Sequence, residues 1–356
     1  MRVLFCSLKY SYGNPALGLS HEYINLYDSL LHMKGVESQF FAIDERMQVL
    51  GRDAMNEELI DLVLDKKPDL LFCQLFTEEL KKETIAYITH KTKTKTLNWF
   101  GDDHWRFHLF SKQWAPLFSA VATTDSTVLP LYKKLGVEAH LTQWAVNQYR
   151  YTPTQSRHSS ELSSCASFVG QRYGVRSRYF SALQKAQLPV CFYGSGWPYG
   201  PVNFERMVEI FSSSSVNLNF TESPHGEWSA RLKLLGKFFV RKEFGKIKNN
   251  VHNFFNMARA LPGFQQAQIK GRIFEVLGCG GFLLTGRAAD LDRYYKLGTE
   301  LVVFTSADDL VEKVKYYLSH PHERKSIALA GYERTLAEHT YEHRFVKLFR
   351  ALGFNF

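Results

Sequence analysis

Short apolar runs alternate with amphipathic stretches from the first residues to about residue 148, and the alternation restarts after a polar break. RVLFCSL (2–8), SQFFAI (38–43), DLLFCQL (69–75), TLNWF (96–100) and AVATT (120–124) read as buried strands. HEYINLYDSLLHM, NEELIDLVLDKK, ETIAYITHKT, the short WAPLFSAV and STVLPLYKKLG read as the intervening helices, and AHLTQWAV continues the unit. Strands apolar on both faces, each followed by a helix, dictate a parallel sheet covered on both sides. The stretch 147–164 has no periodicity and reads as a linker and loop. After it SCASFVG, VCFYGSG, VNLNF, GFLLT and LVVFT are strands; SRYFSALQKA, NFERMVEIFSSS, KGRIFEVLGC, LDRYY and DDLVEKVKYYLSH are helices. The expectation is α/β with two doubly wound, Rossmann-like domains, 1–148 and 149–335, a basic insertion at 226–266, and a C-terminal helix at 336–356 able to cross back to the first domain. Open parallel sheets bind ligands at the carboxyl ends of their strands, so two such edges facing one cleft would serve two substrates.

Composition narrows the function classes. The chain has 356 residues and is 45% hydrophobic, enough for two cores. No apolar run approaches the ~18 residues of a membrane span, and MRVLFCSLKY reads as a first strand rather than a secretory signal. The five cysteines are scattered, with no metal-binding spacing, which implies a reduced, cytoplasmic protein. A net charge of +9 requires an anionic partner, and much of the excess lies in SARLKLLGKFFVRKEFGKIK. There Leu232, Leu235 and Phe239 recur at helical spacing among cations. The pattern suits a helix on an anionic membrane surface, peripheral at the inner face, or one that guides an acidic acceptor through Lys237, Arg241 and Lys242. A solvated helix packed on its domain is the competing reading. No nucleic-acid-binding module is visible.

Several short stretches could carry chemistry. In QIKGRIFEVLGCGGFLLTG (268–286), Lys270 and Arg272 stand at the start of a helix, where cations oppose the helix dipole unless an anion offsets them. A diphosphate would be such an anion. Glu275, one turn further in, could accept from a ribose diol, and Gly280 and Gly281 let the chain turn into the next strand. A surface helix with a Glu–Arg pair and a glycine cap is the alternative. SLKYSYGNPALGLSHEY follows the first strand and puts His21 and Glu22 at a helix start, where either could contact or activate a substrate unless Glu22 is an ordinary first-turn acid. GDDHWRF puts Asp102 and Asp103 at another strand's carboxyl end, placed to deprotonate an acceptor hydroxyl or to cap the next helix. GSGW, with Gly194 and Trp197, ends a strand and would line a nucleotide-base pocket, unless Trp197 packs elsewhere. Asp290-Leu291-Asp292 spells a metal-binding DxD, but helix capping accounts for it better, and no metal is expected.

The helix–glycine–strand stretch, together with AADLDRYY, LVVFTSADDLVEKVKYYLSHPHERKSIALAG and EHTYEHRF in that order, resembles the C-terminal donor-binding segment of GT-B glycosyltransferases, in particular the CgeB-like group related to family 4. FVGQRYGVRSRYFSAL, NFERMVEIFSSSSVNLNF and NWFGDDHWRF extend the resemblance more loosely. It implies a glycosyltransferase that takes a nucleotide-diphosphate sugar as co-substrate, without a cofactor or metal, and a glycan, lipid-linked or protein acceptor. Under it Glu275 would hold the donor ribose, and Lys270 and Arg272 the diphosphate, with Gly170 and Arg172 completing the phosphate site. Ala267 stands where many family 4 enzymes carry a further glutamate. The rival from another class is a non-catalytic protein of the same fold that binds nucleic acid or anionic membrane through the basic segment, with strong salt dependence.

Overall fold

The computed structural model describes residues 1–75, 77–154, 162–222, 241–243, 246–248, 259–260, 263 and 266–356. It divides into two compact units. One holds Met1–Gln143, Arg259, Ala260 and Tyr341–Phe356, and the other holds the remaining described residues between Trp144 and Thr340. No described helix is long and apolar enough to cross a membrane.

The first unit is built on six strands: β1 (Arg2–Ser7), β2 (Glu37–Ala42), β3 (Leu70–Cys73), β4 (Lys95–Phe100), β5 (Ala120–Thr123) and β6 (Ala139–Leu141). They pair in parallel in the order β2-β1-β3-β4-β5-β6. Alternate residues of each strand serve opposite faces. Leu4, Cys6, Leu71 and Cys73 join one core, with Met55, Leu59 and Ile85 from the covering helices. On the other face Phe5 meets Phe72, Phe72 meets Phe345, and Trp99 meets Tyr341, so the C-terminal helix Tyr341–Ala351 belongs to this unit. Sequence periodicity places the second helix at Asn56, whereas it starts at Ile43 and runs to Lys66 through a break at Gly51 (φ 77°). Its first turns expose Val49 and Leu50, so no apolar stripe marks them.

The second unit contains β7 (Ala166–Val169), β8 (Val190–Tyr193), β9 (Val216–Asn219), β12 (Leu283–Gly286) and β13 (Val302–Phe304), parallel in the order β13-β12-β9-β7-β8. Again the two faces feed separate cores, Phe168, Phe192 and Phe220 on one side and Val169, Cys191 and Leu283 on the other. Between β9 and β12 in the chain, β10 (Arg241–Glu243) and β11 (Lys246–Lys248) form an antiparallel pair. The helical reading of the basic stretch therefore does not reach 241–248. Beyond Phe239 the positions three and four along are Lys242 and Glu243, so the apolar stripe ends there. Lys237 lies outside the described residues.

In both sheets the chain starts at an inner strand, builds outward on one side, then returns to the other. The reversal falls between β1 and β3 in the first unit and between β7 and β9 in the second. Loops leaving those strands in opposite directions open a crevice, which is where doubly wound sheets bind ligands.

Candidate functional site

At the β1–β3 reversal, Leu8 and Gln74, the first residues after the two strands, line a cavity of about 230 Å³ with Ser11, Tyr12, His21 and Glu22. Ser20 starts the helix above it: its hydroxyl accepts from the Tyr23 amide at 3.0 Å and donates to the Leu8 carbonyl at 2.7 Å. The next turns, Glu22–Tyr27, are π-helical, a geometry that recurs at functional sites. His21 is held from both sides, Nδ1 lying 2.9 Å from Asn25 Nδ2 and Nε2 lying 3.3 Å from the Tyr341 hydroxyl. Glu22 is half-buried in the cavity and has no hydrogen bond or ion pair among the described residues. Both residues singled out in this loop line the cavity, His21 held by hydrogen bonds and Glu22 without one among the described residues.

The GDDHWRF loop separates its two acids. Asp103 is 1% exposed. Its Oδ2 accepts hydroxyl hydrogen bonds from Thr123 and Tyr132, both at 2.7 Å. Burial pushes its carboxyl up to about 6, against the opposing effect of the Ser111, Tyr132 and Thr123 hydroxyls. Asp103 is thus sealed from solvent in this structure, bound to hydroxyls rather than facing a crevice. Asp102 is half-exposed at the helix start and its side chain makes no capping bond. It remains a candidate.

In the second unit the loops after β7 and β8 interlock. Gly170 donates to the Tyr193 carbonyl and Arg172 to that of Ser195, at 2.9 and 3.0 Å. At Gly194 (φ +123°) a Cβ would stand 2.3 Å from the Gly170 carbonyl oxygen, so both a left-handed backbone and the close approach demand glycine. Trp197 is 5% exposed, packs against Phe168, Phe180 and Phe192, and donates from Nε1 to the Gly170 carbonyl at 2.8 Å. In this structure it is a buried brace for the loop. Arg172 lies over the outer face of that ring, with Nε donating to Ser177 at 3.1 Å.

Two residues overlooked in the sequence dominate this crevice. Arg176, the first residue of the helix Arg176–Lys185, is 9% exposed. Its Nη1 donates to the Gln171 carbonyl at 2.8 Å, while its buried Nε has no partner. Burial pulls its guanidinium down to about 10, with Arg272 acting in the same direction and Tyr173 and Glu222 against it. Glu222, just after β9, accepts from the Tyr179 hydroxyl through Oε1, and its buried Oε2 has no hydrogen-bond partner. A signal for Arg176 was present, since a cation at a helix start is the same feature that singles out Lys270.

The stretch 268–286 builds a helix, Gly271–Gly278, with Lys270 extended at its N-cap. Glu275 is 3% exposed and pairs through Oε2 with Arg272 Nη1 at 2.7 Å, the Glu–Arg pair that spacing allowed as an alternative. Arg272 also lies over the Phe211 ring. Gly280 (φ +72°) ends the helix, and a Cβ on Gly281 would meet the Phe211 carbonyl oxygen at 2.3 Å. Both glycines thus serve the turn into β12. Asp290 pairs with Arg293 at 3.0 Å and makes no capping hydrogen bond. Among the described residues no group of three His, Cys, Asp or Glu side chains could hold a metal.

Comparison with known proteins agrees with this geometry. The model of a family described as glycosyl transferase-like matches residues 176–350, from Arg176 through the C-terminal helix. Spore protein CgeB of Bacillus subtilis is 29% identical over 84 residues, 24% of this chain, and the match spans only 25% of that protein's length. Among solved structures, sucrose-phosphate synthase of Thermosynechococcus elongatus superposes with a TM-score of 0.61 at 10% identity, covering 99% of each chain. A glycosyltransferase of Rickettsia africae gives 0.59 at 9% identity over 100% of this chain and 99% of its own. HepE of Anabaena, solved with UDP and glucose, gives 0.56 at 10% identity and 99% coverage of both. At such identities these three show the fold. With the family match over residues 176–350 and two parallel sheets like those of the solved structures, the chain has the GT-B fold, and its C-terminal part is similar to the glycosyl transferase-like family and to CgeB.

Proposed function

We propose that the chain transfers a sugar from a nucleotide-diphosphate sugar to an acceptor hydroxyl, its own cations taking up the leaving diphosphate's charge in place of a metal. Arg176 carries the proposal. The guanidinium is 9% exposed and lies over the rings of Tyr173 and Phe168, but its Nε has no hydrogen-bond partner in the structure, and an anion would complete it. It sits at a helix start beside the β7–β9 reversal, where backbone amides and the dipole also favour phosphate. Arg172 and Lys270 would add to that field, and Arg272 through Glu275 would set the ribose contact. The solved HepE structures with UDP and with UDP-glucose support a nucleotide sugar as the partner. In the reaction the bond from the anomeric carbon to diphosphate breaks and one to the acceptor oxygen forms. The acceptor's proton passes to a carboxylate, for which Glu22 and Asp102 are the placed candidates. The balance needs no cofactor. Five free, buried cysteines fit a reducing compartment such as the cytoplasm. The rival reading, a protein that only binds nucleic acid or membrane through its basic segment, is not favoured, because it leaves Arg176 and the cavity unused.

The test is thermal unfolding with UDP, GDP and ADP in EDTA. One diphosphate should raise the midpoint, and Arg176→Met should weaken its binding by roughly 10- to 100-fold, as for a lost charge-assisted hydrogen bond. Glu275→Ala should weaken it by a similar factor. No shift with any nucleotide at millimolar concentration, or a shift that EDTA abolishes, would refute the proposal as stated.

A further inference from the structure

The cavity at the β1–β3 reversal has a composition that selects its occupant. Tyr12 is 74% exposed and forms part of its lining. Its backbone is left-handed (φ 53°, ψ 26°), a conformation that bulky side chains rarely adopt. The loop holds it there. The Lys9 and Tyr10 amides both donate to the Asp44 carboxylate, at 3.0 and 2.9 Å. Ser11 donates to the Gly18 carbonyl at 3.0 Å, and Tyr10 pairs with Leu19. An aromatic ring is thus presented to solvent on a clamped neck, beside a carboxylate (Glu22), a carboxamide (Gln74) and a hydroxyl (Ser11).

A flat apolar surface next to a carboxylate and an amide matches a pyranose, which offers one face of C–H bonds and a rim of hydroxyls. The carboxylate and amide together can accept from and donate to neighbouring hydroxyls, while the ring covers the C–H face. The size agrees. A cavity of about 150 Å³ takes one benzene ring, and about 230 Å³ leaves room for one sugar ring at its base. An anionic headgroup or phosphate fits poorly, because Glu22 would repel it and the nearby Lys9 is tied to Glu45 at 2.7 Å. A peptide added as a strand has no edge to join here, since β1 and β3 are both interior strands.

We infer that the acceptor is a neutral saccharide, and that Tyr12 is the platform on which its terminal pyranose stacks while Glu22 and Gln74 read its hydroxyls. The inference rests on the proposed sugar transfer for its purpose, but binding can be tested separately. Saturation-transfer NMR on the full chain, with methyl glucopyranoside, methyl galactopyranoside, maltose, glycerol and inorganic phosphate as probes, reads it directly. At least one saccharide should show saturation of its ring C–H protons, while glycerol and phosphate show none. Tyr12→Asn suits the left-handed backbone and keeps the loop; it should weaken saccharide binding at least tenfold, and Tyr12→Phe should retain it. UDP affinity should be the same in all three proteins. Saccharide binding unchanged in Tyr12→Asn, or phosphate outcompeting the sugars, would overturn the inference, as would no saturation of any saccharide by a chain that binds UDP. Saccharide binding that depends on Tyr12 in a chain that binds no nucleotide would uphold it and overturn the transfer reaction instead.

Discussion

The two sheets reverse direction in the same way, yet the two reversals carry opposite chemistry. Between β1 and β3 the cavity is lined by a half-buried carboxylate, a buried amide, a half-buried hydroxyl and an exposed aromatic ring, and the neighbouring cation Lys9 is already paired. Between β7 and β9 the charged groups are mainly guanidiniums, with Arg176 buried and incompletely bonded and Arg272 close enough to act on it, offset in part by the Glu222 carboxylate. Under the proposed reaction, one crevice would take a neutral hydroxylic ligand and the other a diphosphate. A shared fold therefore fixes where ligands go, while the first loop residues after each strand fix what they are.

The backbone differs as sharply as the charge, and this gives the largest expected effect. The loops around the anion crevice touch through their main chains, so Gly194→Ala drives a methyl group against the Gly170 carbonyl at 2.3 Å in a strained conformation (φ +123°). It should cost roughly 4 kcal/mol, combining overpacking with backbone strain. Gly13→Ala, beside the cavity, meets only Asp44 Cβ at an ordinary 3.5 Å and should cost about 1 kcal/mol for its positive φ. Melting temperatures of the two variants measure this. Equal shifts would mean that the two loops are equally tight and that the contrast is one of charge alone.

A second contrast is in response to pH. Asp103 is raised from 3.8 to about 6, chiefly by burial. A group held higher in the folded state than in the unfolded one stabilises the fold fully below its unfolded value and loses that contribution as pH rises through its folded value. The window here is about pH 4 to 6, and the shift from 3.8 to about 6 corresponds to about 3 kcal/mol. Arg176 is displaced too, but its transition near 10 leaves the second crevice unaffected over that range. Asp103→Asn, whose carbonyl can still accept from Thr123 and Tyr132, should be the more stable protein at pH 7, and the difference should shrink or reverse toward pH 4. Parallel melting curves for the two proteins between pH 4 and 7 would show that Asp103 is ionised throughout.

Both sheets were legible because their strands are apolar on both faces, and that pattern survives without knowledge of neighbours. That Glu22 and Asp102 stand on loops that leave strand ends was legible because strand ends are. What escaped notice depended on burial. Nothing in GDDHWRF distinguishes the acid that folds under Tyr132 from the one that stays outside. Type and position gave no sign that Trp197 and Glu275 are almost fully buried, the tryptophan as a brace and the glutamate paired with Arg272. Arg176 was passed over in a segment already set aside as resembling a phosphate loop, since only three-dimensional packing shows that its Nε lacks a partner.

Trp197 offers the finest test of the contrast, because it asks whether the anion crevice is shaped by a brace or by a ligand contact. Its indole N–H holds the Gly170 carbonyl at 2.8 Å, and its ring fills the space between Phe180 and Phe192. Trp197→Phe keeps an aromatic ring but gives up the hydrogen bond, and should cost about 1 kcal/mol of stability. A brace acts on every ligand of the crevice alike: UDP and GDP would lose affinity by the same small factor as Arg172 loses the face of the indole, and their ratio would hold. A base platform acts on the base, so a changed ratio of UDP to GDP affinity would return Trp197 to the nucleotide pocket and require the ring to leave the core on binding. With the indole 5% exposed and packed on three phenylalanines, that departure would open a cavity costing several kcal/mol, about what a buried Trp→Ala change costs, which a nucleobase contact does not recover.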